Sequence, residues 1–105
     1  NVVRGCDLLE PTARQLTLFK TLATPAPEYS HFPIAVTQKG VKLSKQNKAP
    51  AIDNKNPQPA LVAALKFLGQ QPPTELVSLP VDNIISWAID NWQLDLVPKT
   101  REIIL

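Results

Sequence analysis

The sequence has one cysteine, Cys6, and one histidine, His31. A lone thiol excludes an internal disulfide, and one Cys with one His cannot complete a structural zinc site. No metal site is therefore expected in this chain. Long apolar runs are also missing; none approaches the roughly 20 residues that span a bilayer. No basic-then-apolar leader opens the chain, and no methionine does either. The start at Asn1-Val2-Val3 suggests a fragment or processed product. There is no internal repeat, and the 11 prolines are scattered as punctuation rather than gathered in a tract. With so little thiol, a reducing, cytoplasmic setting is the simpler expectation.

What is present suffices for one small folded domain. The 105 residues are 44% apolar, which argues against disorder. The net charge of +2 is uneven. Residues 1–59 hold eight Lys/Arg against four Asp/Glu, and residues 60–105 hold three against five. An anionic partner should meet the first half. The charge concentrates further in Gly40-Val41-Lys42-Leu43-Ser44-Lys45-Gln46-Asn47. With Lys39 and Lys48 this places four ammonium groups within ten residues, opposed nearby by Asp53. Compact positive charge on long stems suits a polyphosphate or a nucleic-acid backbone. A solvated basic loop has the same composition.

Periodicity places the elements. Val2-Val3 has the composition of a buried strand's end, with Gly5 at its exit. Pro11 suits a first helical turn, and Ala13, Leu16, Phe19 and Leu22 recur at helical spacing, giving a helix over about 11–23. Ile34–Thr37 is a strand, Gln38-Lys39-Gly40 a turn, and Val41–Leu43 a returning strand. A second helix follows Asn56 as cap, buries Leu61, Ala64, Leu65 and Leu68, and ends at Gly69. A third begins near Pro80 with a stripe of Val81, Ile84, Ile85, Ala88 and Trp92. Leu94 to Leu105 returns as an extended tail. The expected class is α+β, mainly helical: three main helices, a short β-hairpin and an N-terminal strand end. The partners of that strand would lie upstream, so residues 1–10 are expected loose or paired with a second copy.

Residue chemistry alone leaves few catalysts. Cys6 with His31 lacks an orienting acid, so His31 is better read as structural. Trp87 and Trp92 suit packing more than base stacking, because no cation separates them. Asp7 and Glu10 favour the helix dipole at Pro11. Arg4 pairs with Asp7 or Glu10, or offers its fork to a ligand carboxylate.

Two segments narrow this. Lys42-Leu43-Ser44-Lys45-Gln46 resembles the Lys-Met-Ser-Lys-Ser loop of class I aminoacyl-tRNA synthetases. Residues 2–15, Val-Val-Arg-Gly-Cys-Asp-Leu-Leu-Glu-Pro-Thr-Ala-Arg-Gln, resemble the segment after the nucleotide-binding fold in the glutamyl type. Pro59 to Gly69 and Asn91-Trp92 continue the likeness. It is greatest to a shortened branch of that family, which attaches glutamate to queuosine in the anticodon of tRNA(Asp). Leu43 and Gln46 depart from the Met and Ser of the general pattern, while Ser44 and Lys45 keep it.

The resemblance implies a single stem-contact-like C-terminal domain over 1–105. The family's nucleotide-binding half, its His-Ile-Gly-His-like element and its zinc ligands would lie upstream. It implies an ATP-dependent ligase with magnesium and with glutamate and tRNA(Asp) as partners. Lys42, Leu43, Ser44, Lys45 and Gln46 would be the ATP-binding loop, Lys45 the catalytic group and Arg4 the glutamate ligand. This chain alone is expected to be inactive. A fragment of a full glutamyl-tRNA synthetase and a non-catalytic RNA-binding domain are the alternatives.

Overall fold

The structure, a computed structural model, describes residues 1–44 and 48–105. It divides into two units, Asn1–Asn47 with Lys99–Leu105, and Lys48–Pro98. Three helices and short strands in two-stranded sheets make up the expected mainly helical α+β class. Among the described residues no helix is long and apolar enough to cross a membrane.

In the first unit, β1 (Val2–Gly5) leads through a 3-10 turn (Cys6–Leu8) into α1 (Leu9–Thr21). The chain returns as β2 (Tyr29–Phe32), parallel to β1, with Val2 beside Tyr29 and Arg4 beside His31. The strand expected to lack a partner therefore has one in the chain. That partner was missed because parallel pairing is made across a helix, not across a turn. β3 (Ile34–Val36) follows β2 after Pro33 and pairs in parallel with β4 (Glu102–Ile104) from the tail. Pro33 is fully buried and has no N–H, so one extended segment becomes two strands with different partners. The expected hairpin is reduced to one antiparallel bridge, Val36 to Lys42, closed by a turn in which Gly40 N–H donates to the Thr37 carbonyl (2.8 Å).

α1 starts two residues earlier than its proline suggested. Pro11 lies in the first turn, where the missing N–H costs nothing. The helix does not bury the expected row. Of that row only Phe19 is half-buried, while Leu16 and Leu22 remain 43% and 70% exposed; Thr12 is buried and Gln15 half-buried instead. Polar donors arriving from β1 and β2 decide which face turns inward, as described below.

The second unit contains α2 (Gln58–Phe67), a 3-10 turn (Thr74–Ser78) and α3 (Val81–Asn91). Its core is Val62, Leu76 and Ile84, backed by Leu61, Leu65 and Trp87. Asn56 does not cap α2. Pro57 takes the N-cap, and the Asn56 N–H turns back to the Asp53 carbonyl (3.2 Å). The α3 stripe is narrower than expected, with Ile85 and Trp92 exposed. Trp92 falls beyond the last helical residue, where the extended backbone takes it off the stripe. Gln70 is buried, and its amide pairs with the backbone of Gln93 at 2.9 and 3.1 Å, pinning the segment after α3.

α1 and α2 end alike. In each, the residue after the C-cap adopts a left-handed conformation, and its N–H and that of the following residue return to the last turn, satisfying carbonyls the helix leaves open. The left-handed residue is Gly69 after α2 but Ala23 (φ 51°) after α1. A Cβ at Gly69 would also strike the Leu96 carbonyl. Gly69→Ala is therefore expected to destabilise the second unit by more than about 2 kcal/mol, the left-handed penalty plus the collision. Urea unfolding followed by fluorescence checks this, since Trp87 and Trp92 both lie in that unit. Ala23→Gly should instead stabilise the first unit by about 0.5–1 kcal/mol, seen as slower amide exchange at Thr24.

Candidate functional site

Alternation along the parallel pair of the first unit puts Val2 and Arg4 on one face of β1, beside Tyr29 and His31 of β2. The Arg4 guanidinium lies 4.7 Å from the centre of the Tyr29 ring. Tyr29 and His31 are stacked, their ring centres 6.3 Å apart. Arg4 Nη2 donates to Thr12 Oγ1 at 2.7 Å and to Gln15 Oε1 at 2.6 Å. Thr12 and Gln15 are three apart on α1, so one helix face meets one guanidinium nitrogen.

The Thr12 hydroxyl organises this cluster. It donates its proton to the Leu8 carbonyl (2.7 Å) and accepts from Arg4. His31 Nε2 is 2.8 Å from the same oxygen. A hydroxyl has one proton and two lone pairs, so His31 must donate there, and its Nε2 carries the proton. His31 is thus tied into the fold through a side-chain hydroxyl, in keeping with a structural role. Cys6 makes no hydrogen bond to His31 among the described residues, and no thiol–imidazole pair forms.

Neither sequence-based salt bridge forms at Arg4. Among the described residues its partners are neutral oxygens and an aromatic face, and Asp7 pairs instead with Lys42 at 2.5 Å. A guanidinium has five N–H donors, and two are used here. Among the described residues Arg4 Nε is buried with no hydrogen-bond partner. A positive charge without a neighbouring carboxylate is suited to an anionic ligand. Beside it opens a groove of about 480 Å³ walled by Val2, Leu18, Phe19, Leu22 and Tyr29, with Arg4 and Gln15 as its polar members.

The basic stretch begins on β3. Lys42 bridges Val36, and the Leu43 N–H donates to the Ala35 carbonyl (2.9 Å). Leu43 and Ser44 are half-buried, whereas Lys39 and Lys48 are exposed. Lys45 and Gln46, the other two members of the proposed loop, lie outside the described residues. The Asp7–Lys42 pair is open to water, with the two side chains 29% and 47% exposed, so it is worth at most about 1 kcal/mol. Its interest is positional: Asp7 is three residues beyond Arg4, and Lys42 three before Lys45. Thr12, Gln15 and Tyr29 were not singled out by the sequence, because only the β1–β2 register brings them to Arg4.

No family model matches the chain. Among curated proteins it is 65% identical to the glutamyl-Q tRNA(Asp) synthetase of Colwellia psychrerythraea, over 98% of the chain and 34% of that protein. It is 52% identical to the same-named protein of Photobacterium profundum, over 99% of the chain and 34% of the relative. For that of Escherichia coli the identity is 46%, over 94% and 32%. The chain spans about a third of the length of the curated relatives it matches, and that third is C-terminal.

Thr12→Val keeps the shape of residue 12 but leaves Arg4, His31 and the Leu8 carbonyl short of a partner. The expected loss is about 1–3 kcal/mol of stability, the cost of buried groups left unsatisfied. Thr12→Ser, which keeps the hydroxyl, should lose far less. Thermal melts of the two variants by circular dichroism compare them directly.

Proposed function

From this kinship with the glutamyl-Q tRNA(Asp) synthetases, we propose that the chain is the part of such a ligase that carries its phosphate-binding loop and one substrate-carboxylate ligand. The reaction is two-step. A glutamate carboxylate oxygen attacks the α-phosphorus of ATP, forming glutamyl-adenylate and releasing pyrophosphate. A hydroxyl of queuosine in tRNA(Asp) then attacks the acyl carbon, and AMP leaves. This reaction belongs in the cytoplasm, where ATP and tRNA meet.

The observation that best supports the reading is the pairing of two cationic features in one unit. Among the described residues Arg4 has no carboxylate partner and leaves three donors unused, and the lysine-rich stretch is tethered through Lys42 to the strand end just beyond it. In the proposed roles Arg4 holds a carboxylate of glutamate through its remaining N–H groups. Lys42, Leu43 and Ser44 form the base of the ATP loop, continued by Lys45 and Gln46. Negative charge grows on the departing pyrophosphate, so an ammonium closing on it binds the transition state better than the ground state. Lys45 has that role. Magnesium would enter bound to the nucleotide phosphates.

In the protein of full relative length, Lys45→Ala should slow glutamate-dependent ATP–pyrophosphate exchange by roughly 10²- to 10³-fold, the loss typical of one transition-state donor. An equal loss in ATP affinity with unchanged chemistry would remove Lys45 from this role. Charging of queuosine-containing tRNA(Asp), but not of tRNA(Glu), separates the proposal from a full glutamyl-tRNA synthetase. RNA binding without exchange activity would favour a non-catalytic domain.

Arg4→Ala should weaken glutamate binding by about 1.5–3 kcal/mol, the range for hydrogen bonds to a charged group. ATP binding should be almost unchanged. Isothermal titration with each ligand distinguishes this from a general loss of structure, which would weaken both.

A further inference from the structure

Asp7 has no part in the roles assigned above, yet the turn around it is built closely. Gly5 has φ −67° and ψ 151°, a conformation open to any residue. Its need for glycine lies elsewhere: a Cβ would lie 2.5 Å from Asp7 Oδ1 and 2.9 Å from Ile34 Cγ2. The carboxylate thus folds back over the strand end, where its other oxygen receives Lys42 Nζ. Two attachments then hold the root of the basic stretch. On one side Lys42 lies opposite Val36 of β3, with the Leu43 N–H donating to the Ala35 carbonyl, and on the other Lys42 Nζ reaches the turn that follows Arg4.

We propose that Asp7 is a positioning residue for the phosphate-binding loop, linking the strand that carries Arg4 to Lys42 at the loop's root. This rests on the function proposed above. The link is short in sequence: Arg4, Gly5, Cys6, Asp7. Exposure suits the pair to this task, because a water-accessible ion pair is weak enough for phosphate oxygens to displace the carboxylate. Lys42 is therefore held at the strand end before the nucleotide arrives and can turn to its phosphates afterwards. Holding Lys42 in place reduces the ordering that nucleotide binding must supply.

The latch is measurable in the 105-residue chain, independently of catalysis. Asp7→Asn keeps the side-chain shape and removes the charge. It should speed amide exchange at Leu43 by about two- to fivefold, the range for an exposed pair, and leave exchange at Thr24 unchanged. In about 1 M salt, where the screening length is about 3 Å, the wild type should approach the variant. Exchanging the charges, Asp7→Lys with Lys42→Asp, should restore slow exchange, whereas Asp7→Lys alone should not. Unchanged Leu43 exchange in Asp7→Asn, or no rescue by the exchanged pair, overturns the latch. In the full-length protein, Asp7→Asn should raise KM for ATP by the same factor and leave KM for glutamate unchanged. Equal rises would make Asp7 a purely structural turn residue and overturn the proposal. Should the wild type show no glutamate-dependent exchange at all, the synthetase reading fails, and the Leu43 measurement still decides whether Asp7 holds the loop.

Discussion

One hydroxyl group carries the polar centre of the first unit. Thr12 Oγ1 gives its proton to the Leu8 carbonyl and receives Arg4 and His31, so its hydrogen-bonding capacity is used completely. Through it the 3-10 turn before α1, the helix itself and both strands of the parallel pair meet at one atom. Nothing else on α1 can replace it, because each of the three partners would need a new acceptor or donor at the same point. The facing of α1 follows. A helix that must present Thr12 and Gln15 to a guanidinium turns several of its leucines outward, against its own apolar pattern.

The two parallel pairs impose a second constraint. β2 and β3 are almost continuous, and Pro33 between them interrupts the ladder. β2 is completed by β1, across a helix, and β3 by β4, which the chain reaches only after the whole of Lys48–Pro98. The root of the basic stretch is thereby fixed to a strand whose other neighbour is the tail.

Charge is sorted in the same space. Arg4 is met by neutral oxygens and a ring face, and Lys42 by a carboxylate. The first arrangement leaves electrostatic capacity for a ligand. The second spends part of it in water, where the interaction is weak and easily exchanged. This division suits the roles proposed above, in which Arg4 holds a small anion and Lys42 exchanges its partner.

The sequence by itself determined the mainly helical α+β class, the three helices, the glycine-closed end of α2 and the motifs by which this chain resembles glutamyl-type synthetases. These depend on neighbouring residues: periodicity, proline and glycine act over a few positions, and a motif is a string. Only the tertiary structure decided that β1 finds its partner at Tyr29–Phe32, that Thr12 and Gln15 rather than Leu16 and Leu22 face inward, and that Asp7 belongs to Lys42 rather than Arg4. Each of these joins residues distant in sequence. Which polar group meets which is set by strand register and backbone approach, down to the missing Cβ of Gly5. No local pattern encodes those distances, so they emerge only once the chain has closed on itself.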